Sequence, residues 1–258
     1  MAKIYAIANH KGGVGKTTTA LNLSASLCLN GKKVLLVDID PQGNTTKGVG
    51  IDKDMVVNSV SDLLLNKKEV IDCMIPTQFD NLYLIPATLE LASVDFDLAT
   101  SDNTKQLRLK QHLDTIKNKF DYIIIDCPPS LGLLNINALI ACDGVIIPVQ
   151  SEYYALDGLI LLLSTIRKIQ SSFNKKLYIE GILITMYDSR TKLANEVAIE
   201  VRKYFKEKVY NIHIPRNIKV AEATSKGKPV VYYDKNSTAS KAYLELALEI
   251  INNNKKRR

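Results

Sequence analysis

The chain has 258 residues, enough for one large α/β domain with its own core, and 46% of them are hydrophobic, which excludes a disordered chain. Lysine and arginine number 34 against 27 aspartates and glutamates; the formal charge of +7 suits an anionic partner without identifying it. No apolar run reaches the roughly 18 residues that cross a bilayer, and the N-terminal MAKIYAIANHKGG has no signal-peptide layout, so a cytoplasmic protein is expected.

KIYAIAN, from Lys3, reads as a strand, and the run from Thr17 to Leu29 as a helix. KVLLVDID and LYLIPA are the next strands, followed by a helix from Lys105 to Lys119. YIIIDCPP, a helix from Leu131 to Cys142, GVIIPVQ, a helix from Leu156 to Gln170, and IEGILITM continue the alternation. Apolar residues at Leu193, Val197, Val201 and Phe205 mark a further helix, and Tyr243, Leu246, Ala247, Ile250 and Ile251 form one stripe of the last. Short continuous apolar runs rich in Ile and Val belong to strands buried on both faces. Their alternation with helices predicts an α/β fold with a doubly wound, mostly parallel sheet flanked by helices. A single domain is expected over 1–252, with 253–258 a basic disordered tail ending in KKRR. Cys28, Cys73, Cys127 and Cys142 show no C-x-x-C spacing, so buried thiols are expected rather than a metal site or disulfides.

The chemistry gathers at three strand ends. After KIYAIAN come Gly12, Gly13, Val14 and Gly15, then Lys16, Thr17 and Thr18 opening a helix. Glycines let backbone N–H groups converge on phosphate oxygens, and the helix N-terminus adds partial positive charge. In such a loop Lys16 reaches the β- and γ-phosphates and the Thr17 hydroxyl ligates Mg²⁺. The general pattern G-x-x-x-x-G-K-[ST] wants glycine where this chain has His10, and Lys11 is a second lysine ahead of the glycines. KVLLVDID supplies Asp38 and Asp40 on one face of the chain, and YIIIDCPP supplies Asp126 where an aspartate holds Mg²⁺ through water.

KGGVGKTT resembles the deviant Walker A motif of the ParA/Soj partitioning ATPases and their MinD relatives, members of the P-loop NTPase fold. The resemblance implies that Lys11 crosses a dimer interface to the nucleotide of a second subunit. An outward-facing cation beside Lys16 is expected to find its desolvated counter-charge only there. The second aspartate of D-x-D-P-Q-G-N, Asp40, is implied to orient the attacking water, with Asp38 supporting the metal's outer shell or the turn. IPRNIKVAEATSKGKP is similar to the family's adenine-side segment, implying that Pro215 and Asn217 flank the base; it departs at Thr224, where proline is common. The guanine-reading N-K-x-D tetrapeptide is absent, which favours adenine.

Arg190 and Lys219 are the implied DNA-phosphate contacts, with Arg216, Lys192, Lys226 and the tail as further candidates. Lysine at 219 keeps a charge but lacks the arginine fork. The implied function is slow, Mg²⁺-dependent ATP hydrolysis in a homodimer that binds double-stranded DNA non-specifically on the nucleoid. A ParB/Spo0J-like centromere-binding protein is the implied stimulator, and an influence on replication initiation comes with it. No helix-turn-helix is read, and a chain that begins at its first strand is expected to lack the DNA-reading domain of longer plasmid relatives. Three rivals share the loop: a MinD-like membrane ATPase, an iron–sulfur reductase akin to nitrogenase iron protein, and a module in which ATP only locks a dimer. Against them stand the acidic Glu245 and Glu249 on the last helix, the contexts of Cys127 and Cys142, and the intact Asp40.

Overall fold

The computed structural model describes residues 1–100, 104–130, 132–152 and 157–256. In chain order it contains β1 (Lys3–Ile7), α1 (Lys16–Leu29), β2 (Val34–Asp38), α2 (Asn44–Gly48), α3 (Val60–Leu64), β3 (Ile75–Pro76) and β4 (Leu82–Ile85). Then come α4 (Leu91–Thr100), α5 (Arg108–Ile116), β5 (Tyr122–Asp126), α6 (Leu133–Ala141), β6 (Gly144–Gln150), α7 (Asp157–Ser172) and β7 (Tyr178–Thr185). The chain closes with α8 (Lys192–Phe205), α9 (Ile218–Ser225), α10 (Val230–Tyr233) and α11 (Thr238–Lys256). The expected helix starts at Leu131 and Leu156 lie outside the described residues, as do Arg257 and Arg258.

The seven strands form one sheet in the order β3-β4-β2-β5-β1-β6-β7, parallel except for β3, which runs antiparallel to β4. The apolar runs are buried on both faces because helices cover both. One layer packs α3 to α8 against β1, β2, β5 and β6; the other packs α1, α10 and α11. Pro148 is tolerated inside β6 because pairing with β1 ends at Ile146, so no ladder bond is lost there.

Residues Ile75 and Pro76 pair as a two-residue edge strand, too short to carry an alternation and unread in the sequence. The expected disordered tail needs correction. The C-terminal segment is helical to Lys256: Asn254 is buried, accepts the Tyr5 hydroxyl at 2.8 Å and donates to the Tyr122 hydroxyl at 3.3 Å. Its polar letters read as a tail, but the amide satisfies buried phenols. The stripe of Tyr243, Leu246, Ala247, Ile250 and Ile251 packs into the core beside α1.

Candidate functional site

β2, β5 and β1 are neighbours, so the loops leaving their C-terminal ends meet in one crevice, where open α/β sheets bind ligands. The first loop lies between β1 and α1. Gly13 and Gly15 take φ of 74° and 86°, backbone that side-chain-bearing residues avoid. A Cβ at Gly12 or Gly13 would meet nothing within 4 Å, so this cradle is open. α1 has no side-chain cap and no acidic residue in its first turn. Its orphan N–H groups and the dipole's positive end therefore face the crevice bare, an anion-binding arrangement.

Lys16 is buried, its ammonium donating to the Lys11 carbonyl at 3.0 Å. Burial holds it below the usual lysine range, opposed by Asp126, Cys127 and Asp40. The loop is braced by Asn9, which accepts the Lys11 N–H at 3.0 Å and donates to the Pro148 carbonyl at 2.7 Å. Thr185, at the end of β7, donates to the Val14 carbonyl at 2.8 Å.

Register brings the carboxylates together: Asp38 and Asp126 are direct partners across β2 and β5. Asp38 is fully buried and accepts the Thr46 N–H at 2.9 Å, the Thr46 hydroxyl at 2.7 Å and the Asp40 N–H at 3.2 Å. Asp126 accepts the Thr45 hydroxyl at 2.7 Å on Oδ2, while its buried Oδ1 has no hydrogen-bond partner among the described residues. Burial pushes both carboxyls up. The neighbouring Asp38 adds to the shift of Asp126, and the Thr45 and Thr17 hydroxyls oppose it. Asp40 closes a turn, its carbonyl accepting the Gly43 N–H at 2.8 Å and its Oδ1 the Gln42 N–H at 3.0 Å. A buried carboxylate pair with one Asp126 oxygen unsatisfied, and the Thr17 hydroxyl acting on the same carboxylate, fits a divalent cation. Among the described residues no group of three His, Cys, Asp or Glu is placed to hold a metal alone. That suits Mg²⁺, which keeps waters and takes phosphate oxygens.

Beside the loop opens a cavity of about 650 Å³ lined in part by Gly15, Thr18, Asn44, Lys47, Pro215 and Asn217. Pro215 is part of its wall. The Asn217 amide is already engaged: Oδ1 caps α9 by accepting the Lys219 N–H at 2.8 Å, and Nδ2 donates to Thr238 Oγ1 at 2.9 Å. It shapes the wall by capping. Thr224 donates its hydroxyl to the Val220 carbonyl at 2.9 Å and continues α9.

The three outlying cations all carry internal partners in the single chain. The Lys11 ammonium lies 3.1 Å from Glu152, whose other oxygen accepts from Gln150 at 2.6 Å. The pairing comes from the β6 end lying beside β1, a proximity 141 residues apart in sequence. Side-chain exposures of 36% and 48% make it a screened pair, easily given up. Arg190 forks onto Asp188 at 2.9 and 2.7 Å, and Lys219 pairs with Glu222 at 2.8 Å. A bridge between Tyr187 and Pro215 brings the Arg190 loop alongside Arg216 and α9. Lys192 pairs with Glu196 at 3.6 Å. All four cysteines are free and buried. Thr45, Thr46, Lys47 and Thr185 escape a reading of the sequence: each is a single polar residue whose role depends on strand register or loop packing.

A family model described as "AAA domain" matches residues 2–179. The sporulation initiation inhibitor protein Soj of Bacillus subtilis is 54% identical over 98% of this chain and 100% of its own length. The chromosome-partitioning ATPase Soj of Treponema pallidum is 47% identical over 97% of this chain and 98% of its own. Among solved structures, a Mycobacterium smegmatis protein named cobyrinic acid a,c-diamide synthase, with ADP and magnesium bound, superposes with a TM-score of 0.87. It is 36% identical and covers 100% of this chain and 97% of that one.

Proposed function

This chain belongs to the ParA/Soj family of chromosome-partitioning ATPases, and on that premise we propose that it is a DNA-segregation switch run by Mg²⁺-dependent ATP hydrolysis. The observation that carries the reading is the uncapped N-terminus of α1, which begins at the buried Lys16, with Asp126 close enough to act on that ammonium and one of its own oxygens unsatisfied. The loop amides from Gly12 to Thr18 and Lys16 hold the triphosphate; Pro215 and Asn217 shape the adenine side. Thr17 and Asp126 would hold Mg²⁺, which would neutralise negative charge on the triphosphate. Asp40 orients the attacking water, the step on which slow positioning catalysis depends.

Lys11 exchanges Glu152 for the γ-phosphate of a second subunit and closes a sandwich dimer. Dimerisation doubles the basic surface around Arg190 and Lys219, and DNA is bound through its phosphates. Hydrolysis opens the dimer, stimulated by a ParB/Spo0J-like partner, and returns the protein from nucleoid to cytoplasm. The membrane reading is disfavoured: the α11 stripe that would lie on a lipid surface is packed in the core.

A gel shift on non-specific duplex DNA with ATP, ADP and no nucleotide tests this. The shift is expected with ATP alone and is lost in Lys11→Ala, which also stays monomeric by size-exclusion light scattering. A Lys11→Ala protein that dimerises and shifts DNA normally refutes the mechanism.

A further inference from the structure

We propose that Lys53 is a positioning residue for ATP hydrolysis, holding the Asp40 turn from outside; the inference rests on the ATPase reading above. Asp40 and Gly43 close a turn whose inner side is fixed through Asp38, Thr45 and Thr46. Its outer side is held by one side chain. Lys53 opens a short 3₁₀ turn, Lys53–Met55, capped by the Asp52 carboxylate on the Asp54 N–H at 3.1 Å. From there its ammonium reaches back and donates to the Gln42 carbonyl at 2.6 Å.

The same residue, Gln42, gives its N–H to Asp40 Oδ1. Gln42 is thus gripped on both sides, by the reacting carboxylate and by Lys53. The lysine stem fills the space beside Gly43, where a Cβ would come within 2.5 Å of Lys53 Cδ and 3.0 Å of the Ala87 carbonyl. Gly43 has φ 59° and begins α2 without a side-chain cap, so the bend rests on its two bonds to Asp40 and on the Lys53 ammonium. A charged donor on the carbonyl at the hinge of the turn restrains the rotation that would swing the Asp40 carboxylate off line. Lys53 touches the Asp40 turn and not the glycine loop or Lys16, so its effect is expected on hydrolysis and not on binding.

Lys53→Met keeps the stem against Gly43 and removes only the donor; Lys53→Arg restores a donor. Single-turnover hydrolysis of radiolabelled Mg·ATP, with protein in excess, is read beside affinity for a fluorescent non-hydrolysable ATP analogue and the melting temperature. The expected result for Lys53→Met is a hydrolysis rate lower by about tenfold, with affinity and melting temperature unchanged, and recovery of most of the rate in Lys53→Arg. A Lys53→Met protein at the parent rate overturns the proposal. So does a matching fall in nucleotide affinity or melting temperature, or an arginine variant as slow as the methionine one. A parent protein that hydrolyses no ATP overturns the ATPase reading itself, and the inference with it.

Discussion

The Thr46 hydroxyl donates to Asp38 Oδ2 at 2.7 Å while its oxygen accepts the Ala87 N–H at 3.1 Å. Both neighbours are buried, so removing the hydroxyl takes one of three hydrogen bonds from the Asp38 carboxylate and leaves the Ala87 N–H without its acceptor in low dielectric. Thr46→Val preserves shape and isolates that loss; it is expected to cost about 2–4 kcal/mol. Urea unfolding checks this as a lower midpoint at constant slope. The residue is not legible in the sequence. D-x-D announces itself after an apolar run, and G-K-T-T after glycines, but a threonine in NTTKG carries no pattern. Only the pairing of Asp38 with Asp126 gives Thr45 and Thr46 their two carboxylates. Lys11 shows the converse: its family role is visible in eight letters, while its resting partner Glu152 is set by the order of strands β1 and β6.

α11 is legible as an apolar stripe and illegible at its end. The stripe packs beside α1, each large side chain contributing roughly 1.5–3 kcal/mol on burial. Beyond Ile251 the sequence turns to asparagines and basic residues, the composition of a frayed terminus. Packing overrides it, because Asn254 reaches the hydroxyls of Tyr5 and Tyr122 under the sheet. Deleting residues 253–258 is therefore expected to lower stability by about 1–3 kcal/mol, since the buried Tyr5 hydroxyl loses its acceptor. A disordered tail would leave the thermal melt unmoved. The short β3 escapes for a related reason: two residues cannot show a period, and only the neighbouring β4 edge makes them a strand.

The whole molecule carries an excess of seven positive charges, and the cations proposed to touch DNA sit in ion pairs with Asp188 and Glu222. They must exchange a carboxylate for a phosphate. The log affinity for duplex DNA with ATP is expected to fall linearly with log salt. Replacing Arg190 or Lys219 by alanine is expected to flatten that slope by about 0.9 for each phosphate left without its cation. Filter binding across salt concentrations measures it; unaltered slopes in both variants would assign DNA to another face.

The sequence by itself determined the alternating α/β architecture, the phosphate loop, the two strand-end aspartate motifs and the helical stripe of the C-terminus. These are local: period, punctuation and short motifs depend on neighbours within a turn or a strand. Tertiary structure alone decided that Asp38 faces Asp126, that Lys11 rests on Glu152, that Asn217 meets Thr238 and that Lys53 grips the Asp40 turn. Those contacts join strand ends and loops whose proximity follows from sheet order and loop packing, which no run of adjacent residues encodes.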